Sequence, residues 1–166
     1  RPRLVELLGP VLDRFAAHGR GEVIGELAVP FPVSVISALL GVPEDGDEDI
    51  RPLVRSVTAL IDAASDEEMN ARGAAAAMQL AMYFLELIEE RRAAPDDGLL
   101  SALIRVEEEG DRLSIEELVS NTILLYAAGF ETTSNLIGNG LRLLLRHPDQ
   151  MARLREDPSL LPSAIW

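Results

Sequence analysis

The sequence predicts an all-α fold, and three observations carry that expectation. Apolar residues recur at three- and four-residue spacing in one segment after another, while period-two alternation is nearly absent. Aromatic residues, which favour strands, make up 4% of the chain. Gly and Pro fall between the periodic segments, where helices end.

Taken in order, Leu4 to Ala17 carries apolar residues at 4, 5, 8, 11, 12 and 15, a stripe of helical period that stops at His18-Gly19. Gly9-Pro10 predicts a kink there, or a start one turn later. A short connector is expected over 21–27. Residues 31–40 are nearly all apolar and close on Gly41 and Pro43, so that helix needs cover on most sides. The acidic stretch 45–49 suits the positive end of a helix at about 48–64. Ser65, with Glu68 three residues on, predicts a capping box that opens a long helix to Arg92. Pro95 to Gly98 breaks the chain before a shorter helix at about 99–109, and 109–113 reads as a turn with at most a trace of strand. Ser114 and Glu117 form a second capping box, opening a helix from about Ile115 to Arg146. A helix of that length spans about 48 Å. His147-Pro148 ends it, a helix near 149–156 follows, and Pro158 and Pro162 bracket a loop.

Composition narrows the function classes. The 166 residues suit one domain, and 48% apolar with 26% charged residues describes a globular chain. Fifteen basic against 28 acidic residues leave a net charge of −13, which argues against nucleic acid and against an anionic membrane surface. The absence of cysteine rules out disulfides and any thiolate ligand from this chain itself. His18 and His147 stand too far apart in sequence to predict a metal site. Asp45, Asp47 and Asp49 alternate like a calcium loop, but Ile50 and Ser56 occupy the sixth and twelfth positions, where Gly and Glu are needed. The longest apolar run, Ile123 to Phe130, is far short of a membrane span. No charged-then-apolar signal opens the chain, so a cytoplasmic location is expected. The start at Arg1 and the stop at Trp166, directly after Ala164-Ile165, predict a piece of a longer polypeptide. Glu107 to Glu109 read as a solvated face, and Glu89 to Arg92 as ordinary surface charge.

The centre of the long helix breaks local rules. Ala127-Ala128-Gly129-Phe130-Glu131-Thr132-Thr133-Ser134 sets an acid and three hydroxyls inside an otherwise apolar stretch. Leu124, Ala128, Thr132 and Leu136 share one face at four-residue spacing, and the small Ala128 and Gly129 make a shallow notch there. Thr132 can hydrogen-bond the carbonyl of Ala128 and bend the helix locally. On periodicity alone, core packing explains these residues better than a site does.

Ala128-Gly129-Phe130-Glu131-Thr132-Thr133 resembles the [Ala/Gly]-Gly-x-[Asp/Glu]-Thr-[Thr/Ser] signature in the long central helix of cytochrome P-450 monooxygenases, with Phe130 at its variable position. The stretches Phe31 to Pro43, Leu85 to Leu103 and Leu141 to Leu161 resemble further blocks of the bacterial family, in order along the chain. The resemblance implies the central helical portion of that fold, a partial domain over 1–166. The family's N-terminal part, its Glu-x-x-Arg element and its haem-ligand cysteine lie outside this portion. It also implies haem in the complete enzyme, with no thiolate ligation from this chain, and no metal ligand among these residues.

Carried over residue by residue, Thr132 matches the alcohol that hydrogen-bonds dioxygen at the haem, and Glu131 the acid of the proton relay. Ala128, Gly129, Thr132 and Thr133 match the cofactor-binding stretch, and Leu124 and Ala127 match positions that face substrate. The implied activity is hydroxylation of a small organic substrate with O2. Electrons would come from a ferredoxin-type redox partner and an NAD(P)H-linked reductase, with neither nucleic acid nor membrane as partner. The alternative is a non-catalytic helical remnant or protein-interaction module. Leu53, Val54, Val57, Leu60 and Ile61 suit either a substrate lining or a core stripe.

Overall fold

The chain folds as the punctuation of its sequence directs, in a computed structural model that describes residues 2–43, 46–61, 66–108 and 113–165. Every regular element among the described residues is helical. Helix α1 (Pro2–His18) begins ahead of Gly9-Pro10 and carries Pro10 inside it. The expected connector is instead a π-helical turn, Ile24–Ala28. Its start is capped locally: the Glu22 carboxylate accepts the N–H groups of Ile24 and Gly25, and the Glu26 carboxylate accepts that of Glu22. Helix α2 (Pro30–Leu40) opens on a proline and stops at Gly41. At φ 72°, Gly41 occupies left-handed backbone that other residues rarely adopt. Of the apolar residues on α2, Val33, Ile36 and Leu40 are buried and Leu39 stays open, so the required cover is found on most sides.

Helix α3 (Gly46–Thr58) runs into a 3-10 turn, Ala59–Ile61. Helix α4 (Glu67–Ala93) is capped by Asp66, whose carboxylate accepts the Met69 N–H at 2.8 Å. The cap therefore sits one residue beyond Ser65, which lies outside the described residues. Helices α5 (Leu99–Glu108) and α6 (Ile115–Arg146) match their expected spans, and α6 carries the full Ser114–Glu117 capping box. Residues 109–112, expected as a turn, lie outside the described set. Helix α7 (Pro148–Glu156) leads to a 3-10 turn, Pro158–Leu160, and a short α8 (Leu161–Ile165) where a loop was expected. Asp157 starts that turn by accepting the Ser159 N–H at 3.0 Å and its hydroxyl at 2.6 Å.

Helix α3 packs along α4, and α2 and α4 pack against α6. Tyr83, Phe84, Tyr126 and Phe130 form a continuous aromatic series from α4 into α6, with ring centroids 5.4 to 5.9 Å apart. Edge and tilted contacts of this kind add to the roughly 1.5–3 kcal/mol that burial of each large apolar side chain contributes. Val54 lies in the core, and Leu53 and Val57 pack partly buried against it. Ile50, one of the residues that spoil the calcium pattern, is buried too. The side chains of Asp45, Asp47 and Asp49 are outside the described set.

Two acidic and basic clusters read as surface charge are tertiary links. Arg91 donates to the Gly41 carbonyl at 2.8 Å and pairs with Asp96 at 3.4 Å. Asp96 accepts the Ser101 hydroxyl at 2.7 Å and the Gly98 N–H at 2.9 Å. Arg92 bridges Glu89 on its own helix and Glu107 on α5, so Glu107 is not a solvated residue. The end of α4 thus clasps the end of α2 and both ends of α5.

Two outcomes follow from this packing. The Ser101 hydroxyl, then the Gly98 N–H and the Arg91 charge, hold the Asp96 carboxyl below the ordinary carboxylate range. A depressed carboxylate stabilises the fold above its unfolded-state value, and the contribution disappears as pH falls through the lower folded value. Unfolding midpoints measured from about pH 6 down to pH 2 should therefore fall less steeply for Asp96→Asn than for the parent. The chain produced by itself should also associate, because Met78 and Met82 on α4 and Leu124, Leu136, Leu143 and Leu145 on α6 are exposed. Light scattering that gives a monodisperse monomer, together with no binding of a hydrophobic dye, would contradict this.

Candidate functional site

Helix α6 buries one side and leaves the other open. Leu118, Thr122, Tyr126 and Phe130 face the core. On the opposite side Leu124 is 62% exposed and Leu136 58% exposed, with Ala128 and Thr132 open between them at four-residue spacing. The expected face therefore exists as an exposed, mostly apolar strip carrying one hydroxyl.

The turn in the middle of that strip is held by side chains rather than by the ladder alone. Thr132 Oγ1 donates to the Ala128 carbonyl at 3.1 Å, and Thr133 Oγ1 donates more weakly to the Gly129 carbonyl at 3.4 Å. Each hydroxyl oxygen keeps lone pairs with which to accept a further hydrogen bond. Glu131 is half-buried at the edge of the strip, one residue before Thr132. A hydroxyl, a carboxyl and a flat apolar surface within one helical turn can hold a planar apolar group and pass protons beside it.

The residues singled out from the sequence separate into two sets. Leu124, Ala128, Thr132 and Thr133 are exposed and Glu131 partly so. Ala127 turns the other way: it is 8% exposed and belongs to the core cluster. Gly129 faces α2. A Cβ built on it would lie 2.8 Å from Cγ1 and from Cδ1 of Ile36 and 3.0 Å from its Cβ. Glycine is required here by the close approach of two helices. Phe130, which stands at the variable position of the signature, is 3% exposed and meets Tyr126 edge-on. The sequence signal for Ile36 was present but indirect: a glycine inside a helix marks a close approach without naming the partner.

A separate concavity of about 440 Å³ flanks the second half of α6, lined by Ile24, Val29, Ser134, Gly138, Arg142 and Leu145 among others. Of the stretch singled out from the sequence, only Ser134 lines it. Among the described residues there is no cluster of three or more metal-ligating side chains, and no helix long and apolar enough to cross a membrane.

Comparison with known proteins bears on the same helix. The family model described as Cytochrome P450 matches residues 58–159. The chain is 44% identical over 165 residues to Cytochrome P450 107B1 of Saccharopolyspora erythraea, covering 99% of this chain and 39% of that protein. It is also 44% identical over 165 residues to the Vitamin D(3) 25-hydroxylase of Pseudonocardia autotrophica, with the same coverage, 99% and 39%. Among solved structures, P450BioI in complex with hexadec-9Z-enoic acid ligated acyl carrier protein superposes with a TM-score of 0.92 at 36% identity, covering 99% of this chain and 42% of that one. The chain thus spans about two fifths of the length of the relatives it matches.

The Gly129 contact sets a measurable expectation. Gly129→Ala gains about 1 kcal/mol of helix propensity but drives a methyl into the stiff, branched base of Ile36, at a cost of about 1–3 kcal/mol. A net loss of stability is expected, read as a lower denaturant midpoint at unchanged slope. A raised midpoint would show that the two helices part easily.

Proposed function

The chain belongs to the cytochrome P450 family, and from that membership we propose that it is the central helical part of a haem-dependent monooxygenase hydroxylating a small organic substrate. In this reading residues 1–166 are a partial domain, and the family's other elements belong to other parts of the complete enzyme. The supporting observation is the open side of α6, where Thr132 and Glu131 stand beside the exposed apolar strip of Leu124, Ala128 and Leu136.

Haem fits that strip. Its macrocycle is flat and largely apolar, Ala128 leaves room for it, and the exposed leucines want cover. When bound through a cysteine thiolate, haem supplies reductive activation of dioxygen. The chain contains no cysteine, so the thiolate comes from outside these residues and the chain alone is inactive.

What the chain contributes is positioning and proton handling. The Thr132 hydroxyl, now bonded to the Ala128 carbonyl, needs only a rotation about its Cβ–Oγ1 bond to donate outward, at the loss of one modest hydrogen bond. Its oxygen can meanwhile accept from a water and hold that water against the strip. Glu131 delivers protons to this water, its half-buried position letting the carboxyl swing between solvent and strip. The apolar neighbours exclude other water, so protons arrive by this route and not at random. Leu124 contacts substrate. The reading carries with it a cytoplasmic location and a ferredoxin-type electron donor served by an NAD(P)H-linked reductase.

Two substitutions in the complete haem-loaded enzyme test it. Thr132→Ala should leave substrate KM nearly unchanged while diverting reducing equivalents to hydrogen peroxide. Glu131→Gln keeps shape but cannot relay a proton, so turnover should fall on the order of 10²–10⁴-fold, with a larger difference between light and heavy water. Product formed per NAD(P)H consumed is the deciding measurement. Wild-type coupling in the first variant and a wild-type rate in the second would leave both residues as helix packing.

A further inference from the structure

Resting on that reading of Thr132 and Glu131, we infer that Ile36 of α2 is a positioning residue for the oxygen-handling turn of α6. Ile36 is 6% exposed, and three of its side-chain atoms lie within 3.0 Å of where a Cβ on Gly129 would stand, on the face of α6 that meets α2. Its branched Cβ restricts χ1, so it cannot swing away as a longer, unbranched side chain would. Gly129 is not an arbitrary point on α6. It is the residue after Ala128, whose carbonyl holds the Thr132 hydroxyl, and its own carbonyl accepts from Thr133. The turn that presents the hydroxyl to the strip is therefore seated on Ile36 along the face beside it.

Three features make this seat stiff. Val33 and Leu40, one turn before and after Ile36, are buried with it, so α2 is anchored on both sides of the contact. Phe130, next to Gly129, is locked into the aromatic series. The Arg91 bond to the Gly41 carbonyl fixes the end of α2. The threonine side chains, by contrast, bond only to carbonyls of their own helix and give the turn no anchor outside it. Moving Ile36 changes where the Ala128–Thr133 turn stands without touching the strip that would meet haem or substrate.

The test uses the complete haem-loaded protein with Ile36→Ala, Ile36→Val and Ile36→Ala combined with Gly129→Ala. Amide hydrogen exchange is followed over residues 124–136, alongside peroxide released per product formed and substrate KM. In Ile36→Ala, exchange over 128–133 should quicken by about tenfold. The peroxide fraction should rise several-fold, with KM within about twofold of the parent. Ile36→Val keeps the branch at Cβ and should restore most of both. In the double variant the added methyl occupies space left by Cγ1 and Cδ1, so exchange should slow again relative to Ile36→Ala alone.

Unchanged exchange over 128–133 in folded Ile36→Ala overturns the inference. So does an even acceleration across all helices, which is the mark of general destabilisation. If exchange quickens locally and Thr132→Ala uncouples while Ile36→Ala does not, the seat has no bearing on the reaction and the inference is again overturned. Wild-type coupling in Thr132→Ala itself removes the reading of Thr132, a failure distinguishable from that of Ile36.

Discussion

A helix surrounded by neighbours on one side only must send its apolar residues to both the core and the open side if something else is to cover it. That constraint organises this chain around α6. Its inner side is filled by Leu118, Tyr126 and Phe130 against α4 and α2, a set of contacts that holds the helix rigid. Its outer side keeps Leu124 and Leu136 uncovered. The rigid side gives the open side its precision. A hydroxyl on an exposed helix face positions nothing unless the backbone beneath it is pinned, and here the pinning comes from the neighbouring helices.

Much of this was legible in the sequence because it depends on local rules. The capping box at Ser114 and Glu117, the span of α6, the stop at Gly41 and the four-residue spacing of the open strip all follow from periodicity and end chemistry. The back-bond from Thr132 to Ala128 was legible for the same reason, since both partners sit one turn apart. Family resemblance added the roles, which spacing alone left open between site and packing.

What escaped depends on partners far away in the chain. Arg91 and Arg92 look like any charged helix end until Gly41, Asp96 and Glu107 are brought beside them. Ala127 and Leu124 look alike by position in an apolar run, yet one is core and the other open, because helical rotation over three residues moves the side chain off the strip. Gly129, read as part of the notch in the strip, turns instead toward α2, and nothing in its own position names Ile36. The turn at Ile24 to Ala28 was missed for a smaller reason: two glutamates supply the caps that a connector would lack.

The bond from Arg91 to the Gly41 carbonyl joins residues 50 apart and so closes a long loop around α3 and nearly all of α4. Closing such a loop is entropically costly at the outset and cheap once the two helices inside have paired. The α3–α4 pair should accordingly assemble first, with the arginine bond completing a unit already made. In the folded protein α4 stays held to α6 through Phe84 and Tyr126, so the arginine bond fixes where α2 ends rather than whether the helices it encloses stay in place.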